Sequence, residues 1–203
     1  MSASSTAHIL FPTVVQTTDI ENATALNDRL LPAVAALQRQ VPNTKPDDWA
    51  CSVYTTLHSD LDLFAIDPFS EVKPFALREI SRYAETMHMH APIENLRVLD
   101  AWINVYHLGD SQEMHVHQNS VFSGIYYIKA PPGCAPVQFR SPEADVMIDP
   151  PRTDVDELNS TDAQFPAVTG QMIIFRSHLR HAVLMNRTEA PRISLSFNVD
   201  IHE

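Results

Sequence analysis

The chain has 203 residues, 44% of them hydrophobic, which is enough for one domain with a core of its own. Its formal net charge of −11 argues against nucleic acid or an anionic membrane as the main partner, because both call for basic surface. Two cysteines, Cys51 and Cys134, are too few for a disulfide scaffold and suit a reducing compartment.

The N-terminus "MSASSTAHILFPTVVQTT" has no basic region followed by a long apolar stretch, as a signal peptide would. No run approaches the ~18 apolar residues of a membrane span. The expectation is a soluble, cytoplasmic protein with no membrane or nucleic-acid partner. Oligomeric state is open, and a homodimer would be compatible. All four glycines (Gly109, Gly124, Gly133 and Gly170) fall in the second half, which suggests helices first and strands with turns afterwards.

Residues 8–18, "HILFPTVVQTT", read as a strand rich in β-branched residues. From Asn22 to Val41, Leu26, Leu30, Val34, Leu37 and Val41 recur at spacings of three and four, a helix stripe. Asn22 or Asp19 is the expected cap, and Pro32 marks a kink or a second start. "VPNTKPDD" is a loop and "WACSVYTTL" a strand. Asp67 with Pro68 starts a second helix, whose buried face is Phe69, Val72, Ala76, Ile80, Tyr83 and Met87. "HMHAPIEN" is a loop.

From Leu96 the period changes to two. In "RVLDAWINVYHL", Asp100, Trp102, Asn104 and Tyr106 share one face, and Leu99, Ala101, Ile103 and Val105 the other. Further strands are expected in "EMHVH", "SVFSGIYYIKA", "APVQFR", "GQMIIFRS", "RHAVLMN" and "RISLSFNVDI". Short strands separated by Gly, Pro and Asn turns predict a sandwich or barrel, and the helices ahead of them give one layered α+β domain over 1–203. The support region is 1–95 and the β-core 96–203. Segment 141–168 holds seven acids, several prolines and little periodicity. It reads either as a solvated loop or as a lid.

The histidines decide the chemistry. His88 and His90 sit where a helix ends, a favourable place for imidazolium without any ligand. His58, His107 and His178 read as structural or solvent-facing. His115 and His117 lie two apart in strand-like sequence, so both side chains can point the same way and converge on one metal. His181 opens the strand after "GQMIIFRSHLR". Further on, Arg192, Ser194, Ser196 and Asn198 alternate with Ile193, Leu195, Phe197 and Val199. If that polar face turns inward, Arg192 is a buried cation that needs an anion, and a carboxylate ligand would supply one.

In that order, "WINVYHLGDSQEMHVHQNSVFSGIYYIKAP", "GQMIIFRSHLRHAV" and "RISLSFN" resemble the iron(II)- and 2-oxoglutarate-dependent oxygenases. The likeness is greatest to a prolyl-hydroxylase-related group found in marine bacteria and their phages. The resemblance implies a double-stranded β-helix (jelly roll, cupin-like) with supporting N-terminal helices. It also implies the cofactors Fe(II), 2-oxoglutarate and O2. His115 matches the first ligand of a His-x-Asp motif and His181 the distal histidine. Arg192 and Ser194 match an Arg-x-Ser motif for the far carboxylate of 2-oxoglutarate. Tyr127 matches a tyrosine reaching the same carboxylate, and Tyr106 a pocket tyrosine.

One position departs from the pattern: His117 stands where the motif has Asp. The site is then either three histidines, which the spacing favours, or two histidines with a carboxylate from Glu113 or Asp110. The implied activity is dioxygenation, with hydroxylation of a small-molecule, amino-acid or peptide substrate as the default and 141–168 as candidate lid. The alternative is a cupin-like three-histidine metalloenzyme that acts without 2-oxoglutarate.

Overall fold

A computed structural model describes residues 3–145 and 150–202. The first strand, β1, is Val15–Asp19, shorter than the predicted 8–18 because Ile9, Leu10 and Phe11 point into solvent and have no partner strand. Helix α1 spans Ala23–Gln40 and buries Leu26, Leu30, Val34 and Leu37, the predicted stripe. Asn22 occupies the N-cap position in a left-handed conformation (φ 57°) and makes no side-chain cap bond. Asparagine tolerates that backbone better than most residues. Pro32 lies inside a continuous helix rather than restarting it.

Of "WACSVYTTL", Tyr54–Thr55 alone pair as β2. The Asp67–Pro68 peptide is cis, and a 3-10 turn over Phe69–Val72 precedes helix α2, Lys73–Thr86. The second α-helix therefore begins later than Pro68, with Pro74 in its first turn, where a missing N–H costs nothing.

The remaining strands are β3 (Leu96–Tyr106), β4 (Gln112–His115), β5 (Phe122–Lys129), β6 (Val137–Arg140), β7 (Asp162–Phe165), β8 (Gln171–Arg176), β9 (His181–Val183) and β10 (Arg192–Ile201). They form a six-stranded sheet, order β1-β8-β5-β10-β3-β2, and a four-stranded sheet, order β4-β9-β6-β7. All pairings are antiparallel. This is a double-stranded β-helix with helices in front of its larger sheet.

Strand β7 falls inside the segment read as a loop or lid and pairs with β6 from Val137↔Phe165 to Arg140↔Asp162. Upstream, Arg180 Nη1 contacts Asp145 Oδ2 at 2.7 Å, and Arg140 lies 3.8 Å from the same carboxylate. Residues 146–149 of that segment, with the acid Asp149, lie outside the described residues.

The two-residue period sorts the side chains of the larger sheet. Its outer face carries Ile103, Val105, Phe122, Tyr126, Ile128, Met172, Ile174, Leu195, Phe197 and Val199. These pack in one cluster with the α1 and α2 stripes. Its inner face meets the smaller sheet through Ile125, Tyr127, Ile173 and Phe175 against Val137 and Phe139.

Gly124 sits where a Cβ would fall 2.2 Å from the Phe197 ring and 2.9 Å from Ile174, so the outer face closes over a bare backbone. Leu99 departs from the predicted core face. The β3–β10 register slips between Asn198↔Asp100 and Val199↔Val98, leaving Leu99 as the unpaired bulge residue. It is 40% exposed.

Candidate metal centre

His115 on β4 and His181 on β9 are direct cross-strand partners, and their ring centroids lie 4.2 Å apart. His117 follows in the β4–β5 connection, where its N–H donates to the Ser177 carbonyl at 3.0 Å. Its ring lies 5.2 Å from each of the other two. The three imidazoles offer one ligand atom apiece, all within 4.8 Å of one another. Among the described residues they form the one cluster of at least three His, Cys, Asp or Glu side chains with that geometry.

The rings are oriented by fixed acceptors. His115 Nδ1 lies 2.7 Å from the Glu113 carbonyl, and His181 Nδ1 lies 2.8 Å from the Leu179 carbonyl. A carbonyl only accepts, so each Nδ1 carries the proton and each Nε2 keeps its lone pair for a metal. Phe175 packs edge-on against His181 at 4.7 Å, and Trp102 stacks on His117 at 5.6 Å. Burial lowers the pKa of all three: His115 below its usual value, His117 to about 4 and His181 well below. Repulsion from His115 adds to the effect at His117 and His181. The neutral form that results is the one that binds metal.

One layer away is a second set. Arg192, 1% exposed, lies between two rings, its guanidinium carbon 4.8 Å from the centroids of both Tyr106 and Tyr127. Its Nη1 donates to Ser194 Oγ at 3.3 Å, while Nε and Nη2 have no hydrogen-bond partner. The buried Tyr127 hydroxyl also has none. A buried cation with two orphaned N–H groups is strongly unfavourable, unless a carboxylate meets it. These residues therefore fit an anionic ligand as the histidines fit a metal.

A cavity of about 350 Å³ connects these features. The three histidines line it, as do Asp100, Trp102, Asn104 and Tyr106 from β3, Ser123 and Ile125 from β5, and Ser196 and Asn198 from β10. The polar face read from the sequence of β10 thus turns inward. Arg192, Ser194 and Tyr127 are not on the cavity wall. Of the two rings flanking Arg192, Tyr106 lines the cavity as well.

The two alternative carboxylates lie elsewhere. Glu113 Oε1 accepts the N–H groups of Ala50 and Cys51, and Asp110 Oδ2 accepts the His107 N–H at 2.7 Å. His58, His107 and His178 are exposed.

Sequence reading missed Ser177, fully buried and bonded through its hydroxyl to Ser120 and Ser123 at 2.8 Å each. It missed Asn186 too. That side chain, also fully buried, bonds the Tyr106 carbonyl and the Ala135 N–H. Both sit in connections between strands, where no periodicity marks a buried residue.

Residues 100–198 match the family described as "Putative 2OG-Fe(II) oxygenase". A comparison with curated proteins found no match. Among solved structures, a Pseudomonas putida prolyl-4-hydroxylase superposes with a TM-score of 0.62 at 11% identity over 94% of each chain. HygX from Streptomyces hygroscopicus, with nickel, 2-oxoglutarate and hygromycin B bound, gives 0.61 at 10% identity over 93% of this chain and 83% of its own. A viral collagen prolyl hydroxylase from Paramecium bursaria Chlorella virus-1, in complex with 2-oxoglutarate, gives 0.55 at 12% identity over 91% and 94%. At such identities these likenesses concern the fold, while the family match spans the histidines and Arg192. Over that stretch the chain resembles the 2OG-Fe(II) oxygenases, oxidoreductases that use iron(II), 2-oxoglutarate and dioxygen.

Proposed function

We propose that the chain is a dioxygenase that hydroxylates a C–H bond of a small molecule, an amino acid or a peptide residue. In this reading His115, His117 and His181 hold the iron. Arg192, Ser194 and Tyr127 receive the far carboxylate of 2-oxoglutarate. The observation that carries the reading is the pairing of two incomplete sites. Three neutral imidazoles converge within 4.8 Å, and a buried guanidinium nearby keeps two N–H donors unpartnered.

Iron(II) with 2-oxoglutarate, when bound, supplies the activation of dioxygen for C–H oxidation, with release of succinate and carbon dioxide. The chain's own residues do the rest. The Glu113 and Leu179 carbonyls fix which nitrogen of His115 and His181 is free. Tyr106 and Tyr127 hold the guanidinium by its faces, which leaves its edge for two parallel bonds to a carboxylate. Trp102, Phe175 and Ile125 exclude water from the cavity wall. His117 in the aspartate position leaves the centre one negative charge short, so two anionic groups on the co-substrate face less repulsion.

The test is anaerobic iron(II) titration in the presence of 2-oxoglutarate, reading the weak visible charge-transfer band of the chelate, on the wild type, His117→Ala and Arg192→Ala. The reading expects a band in the wild type, weakened in both variants, and turnover of 2-oxoglutarate to succinate in air. Iron bound without a band or succinate would overturn it in favour of a three-histidine metalloenzyme that does not use 2-oxoglutarate. A band that survives His117→Ala would remove His117 from the ligand set.

A further inference from the structure

If His117 replaces a carboxylate ligand, the lost charge and the lost rigidity must come from somewhere else. The inner face of the larger sheet holds one arrangement that supplies both. Asn198 on β10 stands directly opposite Asp100 on β3 and directly opposite Ser123 on β5. The three lie in one row on the wall of the cavity that contains the histidines. Asn198 is 6% exposed, and its Oδ1 accepts the Ser123 hydroxyl at 2.8 Å. Ser123 is bonded in turn to Ser177 at 2.8 Å, and Ser177 to Ser120 at 2.8 Å. The Ser177 carbonyl also takes the His117 N–H. The carboxamide is therefore linked, through Ser123, to the residue that pins the His117 backbone.

The Asn198 side chain shares this cavity with the His117 ring and the Asp100 carboxylate and interacts electrostatically with both. A carboxylate only accepts, so an amide that bridges the two would turn its NH₂ to Asp100. Its oxygen, which has two lone pairs and already accepts from Ser123, would keep one for His117. Trp102 covers the His117 ring by stacking on it. The other two histidines lean on neutral backbone carbonyls, whereas the amide that interacts with His117 stands across the ladder from a carboxylate. Among the described residues, no lysine or arginine pairs with Asp100.

We propose that Asn198 is the positioning residue of the third histidine, and that Asp100 supplies through it the negative charge an aspartate ligand would have brought. The arrangement is a carboxylate–histidine–metal triad lengthened by one amide. It rests on the three-histidine reading given above.

The experiment is anaerobic calorimetric titration with iron(II) alone, together with the charge-transfer band in the presence of 2-oxoglutarate. Wild type is compared with Asp100→Asn, Asn198→Leu, the exchanged pair Asp100→Asn with Asn198→Asp, and Asp60→Asn. Outer partners of metal-bound histidines are worth about 10–100-fold in affinity. Asp100→Asn and Asn198→Leu should each weaken iron by that factor and move the band. The exchanged pair keeps the total charge and the acceptor for His117, so it should recover most of the loss. Asp60→Asn changes net charge equally at an exposed residue of the neighbouring cavity and should bind as wild type. Asp100→Asn removes charge at the cavity rim without touching the core, so the result does not hang on whether Asn198→Leu folds.

Wild-type affinity in both Asp100→Asn and Asn198→Leu would overturn the proposal, as would equal losses in Asp100→Asn and Asp60→Asn. His117→Ala in the same titration separates the two readings. Unchanged iron binding there would remove the three-histidine centre itself and the proposal with it. Weakened binding in His117→Ala with no effect at positions 100 and 198 would remove only the amide link.

Discussion

Arg192 and Tyr106 are direct cross-strand partners on β10 and β3, with the guanidinium carbon 4.8 Å from the ring centroid. A cation–π contact holds the cation by its face and satisfies none of its N–H groups. Position and hydrogen bonding are thus separated in this side chain: the rings fix where it is, and its Nε and Nη2 are left for a ligand. Arg192→Met should keep iron(II) binding but raise the half-saturating 2-oxoglutarate concentration by about 100-fold or more, since a charged hydrogen bond contributes about 1.5–3 kcal/mol. Parallel titrations with iron and with 2-oxoglutarate would check this. Loss of both would place Arg192 in the fold rather than in recognition.

Tyr127 presents the opposite trade. Its hydroxyl is buried without a partner, and burial raises its pKa against the pull of the Arg192 charge. Removing an unsatisfied buried hydroxyl relieves a desolvation cost of about 1–3 kcal/mol. Tyr127→Phe should therefore raise the melting temperature of the ligand-free protein while weakening 2-oxoglutarate several-fold. A thermal scan with and without 2-oxoglutarate reads both directions in one experiment.

Acid should destabilise the metal-free protein through the three histidines. Each has a folded-state pKa below the usual ~6.5, so between that value and about pH 4 the unfolded chain binds protons that the folded chain does not. Stability then rises with pH through this window and is lost as pH falls through it. The window should be visible in urea unfolding at pH 7.0 and pH 5.0. It should shrink in His117→Ala, whose lost imidazole is held to about 4 by burial. Iron affinity should fall over the same range, because protons and metal compete for the same nitrogens.

Asn186 is predicted to be structural. Its Nδ2 donates to the Tyr106 carbonyl at 3.0 Å, and its Oδ1 accepts from Ala135 N–H at 3.2 Å and Thr188 Oγ1 at 3.0 Å. It is fully buried. Asn186→Ala should cost about 2–3 kcal/mol of stability, because it leaves buried partners unsatisfied. Denaturant unfolding would measure it, and a change under 1 kcal/mol would mean that water replaces the amide.

What could be read from the sequence follows from how local each signal is. The polar face of β10 and the α1 stripe each repeat over many residues, so period alone reveals them, while the inward turn of the β10 face comes from the packing of the two sheets. The direct pairing of His115 with His181 joins two strands of four and three residues, too short for any period and far apart in the chain. Strand β7 has the same difficulty, since "DAQF" gives one alternation at most. The bulge at Leu99 is set by the register with β10, and nothing local to Leu99 encodes it. Asn198 was visible as part of a polar face, but its link to Asp100 and Ser123 required the register of three strands.

The pairing of His115 with His181 has a further consequence. Strand β4 lies at the edge of its sheet, bonded to β9 alone, and the chain between the two histidines carries β5, β6, β7 and β8. An ion held by both rings closes that long loop as a reversible crosslink would, restricting the unfolded ensemble by chain entropy. Its grip falls on a short ladder, irregular between Gln112 and His115, at the edge of the smaller sheet. Amide exchange in β4 and β9 should therefore slow on iron loading far more than in β3, β5 and β10, which hold one another without it.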